Sequence, residues 1–176
     1  MQYSNSIIES LLQKFRSVIG PDYDKYKNHV YRVFLNCFLL DNEKNNEEKY
    51  AIAAVFHDIG IWTDHPINYL APSIEQVRLY LTRAGKQEWT EDITNMINWH
   101  HKTTSYKGNH SLTVEIFRKA DWVDVSLGVF SFGLDGKKLK ANRRDFPNHG
   151  FHLFLIKQIT KNFFRHPLNP FPMFKK

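Results

Sequence analysis

The stretch Ala51-Ile52-Ala53-Ala54-Val55-Phe56-His57-Asp58-Ile59-Gly60 runs six apolar residues straight into an imidazole and a carboxylate. A helix that is apolar all round is buried. Its last turn therefore delivers both groups into the interior, and Gly60 offers a helix stop. Buried ionisable groups are costly unless paired, hydrogen-bonded or bound to a metal. Two arrangements meet that condition: His57 and Asp58 converge on one ion, or they are satisfied as a pair within the core. Further groups of the same kind recur at matching places. His29 shares the apolar face of Tyr26, Val30, Val33, Phe34, Cys37 and Phe38. His100 lies on the face of Ile93, Met96 and Ile97, with His101 at its border. Asp121, between Ala120 and Trp122, falls where a buried residue is expected.

The elements that must position these groups are helical. Ile7, Ile8, Leu11, Leu12, Phe15, Val18 and Ile19 follow helical spacing behind a capping box at Ser6-Ile7-Ile8-Glu9, and Gly20-Pro21 ends that helix. A second helix covers about 23–40. Asn45-Asn46-Glu47-Glu48 supplies a cap and an acidic first turn for the third, which ends at His57-Asp58. Ser73-Ile74-Glu75-Gln76 opens a fourth helix that stops at Gly85. Thr90 caps a fifth, and Ser111 a sixth that runs to about Leu127. Gly128 to Asn148 reads as a long basic loop carrying Lys137, Lys138, Lys140, Arg143 and Arg144, with a solvated surface as its simplest role. Phe151, Phe154, Leu155, Ile159 and Phe163 mark a last helix, and the proline-bearing tail from His166 to Lys176 is expected to pack back as an extended strap. No strand alternation or internal repeat stands out. The fold class is all-α, a single domain over 1–176 with six or seven helices.

Composition sets bounds on function. The 176 residues are 42% hydrophobic and 15% aromatic, enough for a core, and the single cysteine, Cys37, excludes a disulfide framework or a cysteine-based zinc site. No apolar run approaches the roughly 20 residues of a membrane span, and no secretory leader is apparent. The expectation is a cytoplasmic protein without a membrane partner. A net charge of +6 favours anionic partners: small phosphorylated molecules, nucleotides or nucleic acid.

His29, then His57-Asp58, then Asp121, in that order on an all-helical pattern, resemble the HD-domain superfamily of metal-dependent phosphohydrolases. Ala54-Val55-Phe56-His57-Asp58-Ile59-Gly60 is close to the family's signature, and Arg118-Lys119-Ala120-Asp121 is similar to its final acidic motif. The resemblance covers about 25–127. It implies that His29, His57, Asp58 and Asp121 hold a divalent metal, and that a water activated there attacks phosphorus. Two imidazoles and two carboxylates make a mixed nitrogen and oxygen set suited to Mn, Fe, Co, Ni, Zn or Mg. Such an ion lowers the pKa of bound water and polarises a phosphoryl oxygen. Asp58 is the ligand most central to that geometry.

The sequence departs from some branches of the family. An acidic residue shortly after the HD pair helps catalysis in some members, whereas here Ile59, Gly60, Ile61 and Trp62 follow, and Asp64 is the nearest carboxylate. Branches with two metals use extra histidines between the HD pair and the last aspartate. His100 or His101 could supply one, and His65 is the candidate for the other. Ligand count favours one metal, with a second possible. His100 and His101 are otherwise expected to contact phosphate or move protons. Lys102, Arg118 and Lys119 lie close in sequence to the site residues and are candidate clamps for a phosphate. The leading function is hydrolysis of a phosphate ester or nucleotide. The alternatives are a dinuclear iron oxygenase or metal-dependent hydratase of the same fold, and a non-catalytic nucleotide-binding module. The sequence leaves the oligomeric state open.

Overall fold

A computed structural model describes residues 3–41, 43–64 and 69–165. They form helices α1 (Ser6–Ile19), α2 (Tyr23–Leu40), α3 (Glu47–Phe56), α4 (Gly60–Thr63), α5 (Leu70–Arg83), α6 (Thr90–Trp99), α7 (Ser111–Val125), α8 (Gly136–Asp145) and α9 (Phe151–Arg165), with no strand among the described residues. The seven helices expected from the sequence are α1, α2, α3, α5, α6, α7 and α9. The short turn α4 and the helix α8 are additional. No helix among the described residues is long and apolar enough to cross a membrane.

α3 is the axle of the bundle. All residues from Tyr50 to Phe56 are buried, and α1, α2, α5 and α6 pack around them. α2 and α7 run against each other along the most extensive helix–helix contact. This packing turns the midpoint of α2, the end of α3, the end of α6 and the inner face of α7 toward one another.

Several helix starts differ from the sequence expectation. The cap of α1 is Asn5, whose Oδ1 accepts from the Ile7 and Ile8 amides at 3.0 and 3.1 Å, so Ser6 is already helical. Thr90 and Ser111 are likewise first helical residues, and neither Trp89 nor His110 before them caps with its side chain. α5 begins at Leu70, three residues before Ser73. Pro72 falls in its first turn, where no intrahelical amide bond is lost. The expected loop 128–148 contains α8, capped by Asp135 accepting from the Lys137 amide at 2.8 Å. Leu139 is the buried residue of α8, too little apolar pattern to announce a helix. The strap expected over His166–Lys176 lies outside the described residues.

Gly60 does not end a helix through a left-handed backbone. Its role is close approach. A Cβ there would lie 2.2 Å from the Tyr69 carbonyl oxygen and 3.0 Å from both the amide and the Oγ of Ser73. The Gly60 amide donates to Ser73 Oγ at 2.9 Å, which ties the turn after Asp58 to the start of α5. Gly60→Ala must push α5 off that turn, because a backbone carbonyl cannot rotate aside. The expected loss is about 1–3 kcal/mol, the usual scale for forcing extra volume into a packed site. Chemical denaturation of the variant checks it, and an unchanged midpoint would show that α5 shifts freely.

Candidate metal centre

Each inward-facing imidazole is fixed by its other nitrogen. His57 follows the last residue of α3, and its Nδ1 donates to the Ala54 carbonyl at 2.8 Å. His100 stands at the same place after α6, with Nδ1 donating to the Ile97 carbonyl at 2.6 Å. The last four carbonyls of a helix lack intrahelical partners, so both rings satisfy an orphaned acceptor three residues back. His29, mid-way along α2, donates Nδ1 to Asp124 Oδ2 at 2.7 Å. A carbonyl or carboxylate only accepts, so each Nδ1 carries the proton and each Nε2 is left to face the centre.

The three Nε2 atoms surround two buried carboxylates. His29 Nε2 and His57 Nε2 lie 2.9 Å apart. Asp58 Oδ2 is 3.4 Å from His57 Nε2 and 3.6 Å from His29 Nε2, while Asp58 Oδ1 is 3.5 Å from His100 Nε2. Asp121 Oδ1, from α7, is 3.7 and 3.8 Å from the same nitrogens of His29 and His57. His101 stands on the far side, its Nδ1 3.8 Å from Asp121 Oδ2 and its Nε2 2.9 Å from His100 Nε2. The Tyr69 hydroxyl also hydrogen-bonds His101 Nε2. All of His29, His57, Asp58, His100 and Asp121 are buried, and the His101 side chain retains partial exposure.

The sequence-predicted tetrad His29, His57, Asp58 and Asp121 is thus gathered at one point, with His100 and His101 beside it. Among the described residues, two sets have ligand atoms within 4.8 Å of one another: His29, His57 and Asp58, and then Asp58, His100 and His101. Asp58 belongs to both. Among the described residues, Asp58 Oδ1 and Asp121 Oδ2 are buried without a hydrogen-bond partner. Orphaned buried carboxylate oxygens are costly and rare. An oxygen and nitrogen set with two such atoms fits a first-row or hard divalent cation.

The electrostatics agree with a cluster built around charge. Burial pushes the His29 imidazole down, but its hydrogen bond to Asp124 and the carboxylates of Asp58 and Asp121 outweigh this and raise it to about 9. Burial raises the Asp58 carboxyl, yet His57 and the contacts from His100 and His29 hold it well below the usual range. Burial prevails at Asp121, which is raised despite the same imidazoles. Burial and the neighbouring His100 depress His101 well below an ordinary histidine.

A layer behind the cluster was not assigned from the sequence. Asp124 accepts from His29 and also pairs with Arg32, at 2.6 Å from Nε to Oδ1 and 2.9 Å from Nη2 to Oδ2. Arg32 Nη1 donates to the Phe146 carbonyl at 3.0 Å. Phe151, from α9, stacks on the His29 ring at 4.1 Å. The signal was present in the spacing: Arg32 is one turn after His29, and Asp124 one turn after Asp121, on faces that are apolar elsewhere.

The three candidate phosphate clamps have different settings. The Arg118 guanidinium makes two 2.8 Å bonds to Glu115 and one of 3.2 Å to the Lys102 carbonyl, which engage three of its five donors. It fixes the start of the segment after His101. Lys102 is buried, and that burial pushes its ammonium down. Lys119 points its Nζ toward the Phe132 ring, 6.0 Å away. Asp64 is exposed and accepts from the Thr63 hydroxyl at 2.9 Å, and His65 lies outside the described residues.

The sequence model of the HD domain matches residues 26–126, more than half of the chain. The protein belongs to the HD domain family. No curated protein and no solved structure shows a significant match to it. The matched span starts at Tyr26 and ends one residue past Val125, so it holds every member of the cluster and Asp124. In this HD domain α8 and α9 follow the matched region, and Phe146, just after α8, and Phe151, the first residue of α9, stand at the back of the centre.

Proposed function

We propose that this HD protein is a metal-dependent phosphohydrolase that acts on a small phosphate ester or nucleotide. The observation that carries the reading is the pair of buried oxygens with no hydrogen-bond partner among the described residues, Asp58 Oδ1 and Asp121 Oδ2, set among imidazole nitrogens already oriented toward them. His29, His57, Asp58 and Asp121 are the residues proposed to hold a divalent ion, with Mn, Fe, Co, Ni, Zn and Mg all compatible with the donor set. Such an ion would supply Lewis acidity toward a phosphoryl oxygen and an acidified water near neutral pH.

The chain's own residues do the rest. Asp124 and the Ala54 carbonyl hold His29 and His57 in one tautomer and one orientation. His101 keeps partial exposure, which lets its ring meet substrate, while burial and the neighbouring His100 hold its pKa well below that of an ordinary histidine and so favour a hydrogen-bonding over a proton-accepting role. Tyr69 fixes its ring. Lys102 follows His101 directly and is the cation proposed to meet the phosphate, with Arg118 acting through its grip on the Lys102 carbonyl.

Asp58, His100 and His101 would be able to hold a second ion, with Asp58 shared between the two ligand sets, and that supports a reading with two metals. That arrangement keeps an iron oxygenase of this fold as the alternative. Metal analysis of protein purified without chelator, followed by a phosphatase and nucleotidase screen with added Mn²⁺, Co²⁺, Ni²⁺ or Mg²⁺, separates the two. Phosphate release that depends on the metal and stops with chelator is the expected result. Two irons per chain, with oxygen uptake and no phosphate release, would replace the hydrolase by the oxygenase.

A further inference from the structure

Beyond the end of α7 the chain turns its apolar residues outward. Val129 is 79% exposed, Leu127 53%, Phe130 52% and Phe132 43%. Leu127 and Phe132 adopt φ values of 55° and 48°, a region that non-glycine residues enter at a cost. The segment is anchored from below. Phe130 meets the Trp122 ring edge-on at 5.7 Å, and Lys119 reaches toward Phe132.

α8, which follows this tip in the chain, carries a cationic ridge. Leu139 faces the core from α8, so Lys137, Lys140 and Arg144, at i, i+3 and i+7, share the opposite side and are exposed. Arg143 lies against the loop itself, with a terminal nitrogen 2.5 Å from where a Cβ on Gly128 would be. Acidic residues on this stretch are Asp135, which caps α8, and Asp145, which pairs with Arg144 at 2.9 Å. Cations therefore outnumber acids five to two between 128 and 148.

We infer that residues 127–144 form a peripheral docking surface for a lipid bilayer bearing anionic headgroups. Leu127, Val129, Phe130 and Phe132 enter the interfacial region while Lys137, Lys140 and the neighbouring arginines meet the headgroups. An apolar edge beside a basic one is the arrangement that lies in a membrane interface without spanning it. Charge complementarity decides against a second copy of this chain, since self-association through the same patch sets two cationic ridges side by side. Nucleic acid suits it less well. Bases stack on aromatic faces, which leaves Leu127 and Val129, half or more exposed, without a partner.

The test is co-sedimentation of the full chain with phosphatidylcholine vesicles, with and without added phosphatidylserine. Binding is expected with phosphatidylserine alone and is expected to weaken with salt. Lys137→Glu and Lys140→Glu should each weaken it by about fivefold or more. Val129→Asp combined with Phe130→Asp should weaken it by at least about tenfold. These side chains lie outside the metal centre, so metal content should stay at the wild-type value in all three variants, and a cooperative thermal transition checks that each is folded. Failure to sediment with the acidic vesicles at low salt overturns the inference. So does equal sedimentation of wild type and the Val129/Phe130 variant. Binding of a single-stranded oligonucleotide, or concentration-dependent dimerisation, that these substitutions abolish while vesicles remain unbound would reassign the surface to that partner.

Discussion

Asp58→Ala is expected to empty the metal centre and bring phosphate release down by at least about a thousandfold, the scale of several kcal/mol of transition-state stabilisation from a bound ion. Asp58 is common to both ligand sets, so its loss reduces each of them to two residues. The fold should survive. Among the described residues Asp58 Oδ1 has no hydrogen-bond partner, and Oδ2 lies 3.4 Å from His57 Nε2 and 3.6 Å from His29 Nε2, so no tight pairing with them is broken. In the metal-free protein the buried carboxylate is itself a charge the imidazoles must hold. The measurements are metal per chain, thermal midpoint and phosphate release on one preparation. If Asp58 were only the partner of a core histidine, the midpoint would fall by an amount equivalent to about 1–3 kcal/mol and metal would be unaffected. Stoichiometric metal with full turnover would remove Asp58 from the mechanism altogether.

The parts of this centre that were legible in the sequence share one property. They sit on segments whose burial is announced by a long or regular apolar pattern. Ala51–Phe56 leaves no polar face, so whatever follows it is inside, and His57-Asp58 could be placed with no knowledge of partners. His29 and Asp121 each interrupt an apolar stripe. What the sequence could not convey was direction. His57 and His100 point inward because their Nδ1 atoms satisfy the carbonyls three residues back at a helix end, and helix ends are the boundaries periodicity locates least well. Gly60 shows the same limit. Its position at the end of an apolar run invited a capping role, whereas only the packing of α5 reveals that it clears space for the Tyr69 carbonyl. α8 was hidden because a surface helix with one buried residue carries almost no pattern. Arg118, next to a ligand motif and positively charged, had the sequence profile of a phosphate clamp. Its commitment to Glu115 three residues earlier is the kind of i, i+3 pair that proximity to a site can mask.

Asp124→Ala should be the most destabilising single change at the centre, although Asp124 is not among the proposed ligands. The carboxylate is buried, and three donors converge on it: Nδ1 of His29, and Nε and Nη2 of Arg32. Those partners hold it ionised well below the ordinary range despite burial. Removal leaves the Arg32 guanidinium, 2% exposed, with the Phe146 carbonyl as its remaining hydrogen bond. Breaking a buried pair in this way costs about 3–5 kcal/mol, or roughly 6–20 °C in midpoint for a chain of this size. A destabilised variant says nothing about orientation of His29, so a second comparison is needed. Asp124→Asn keeps the shape and one carbonyl oxygen, which can serve either His29 or Arg32 Nε but not both as the carboxylate does. Its stability loss should be smaller, while metal affinity falls about 10–100-fold, the usual consequence of removing the group that orients a ligating histidine. Joint replacement, Arg32→Leu with Asp124→Leu, extends the separation. Apolar residues in place of a buried ion pair recover much of its stability, yet His29 would still lack an acceptor for Nδ1. A double variant that melts near wild type but binds metal weakly would establish Asp124 as the residue that aims His29. One that binds metal as tightly as wild type would reduce the Asp124–Arg32 pair to a support of the fold alone.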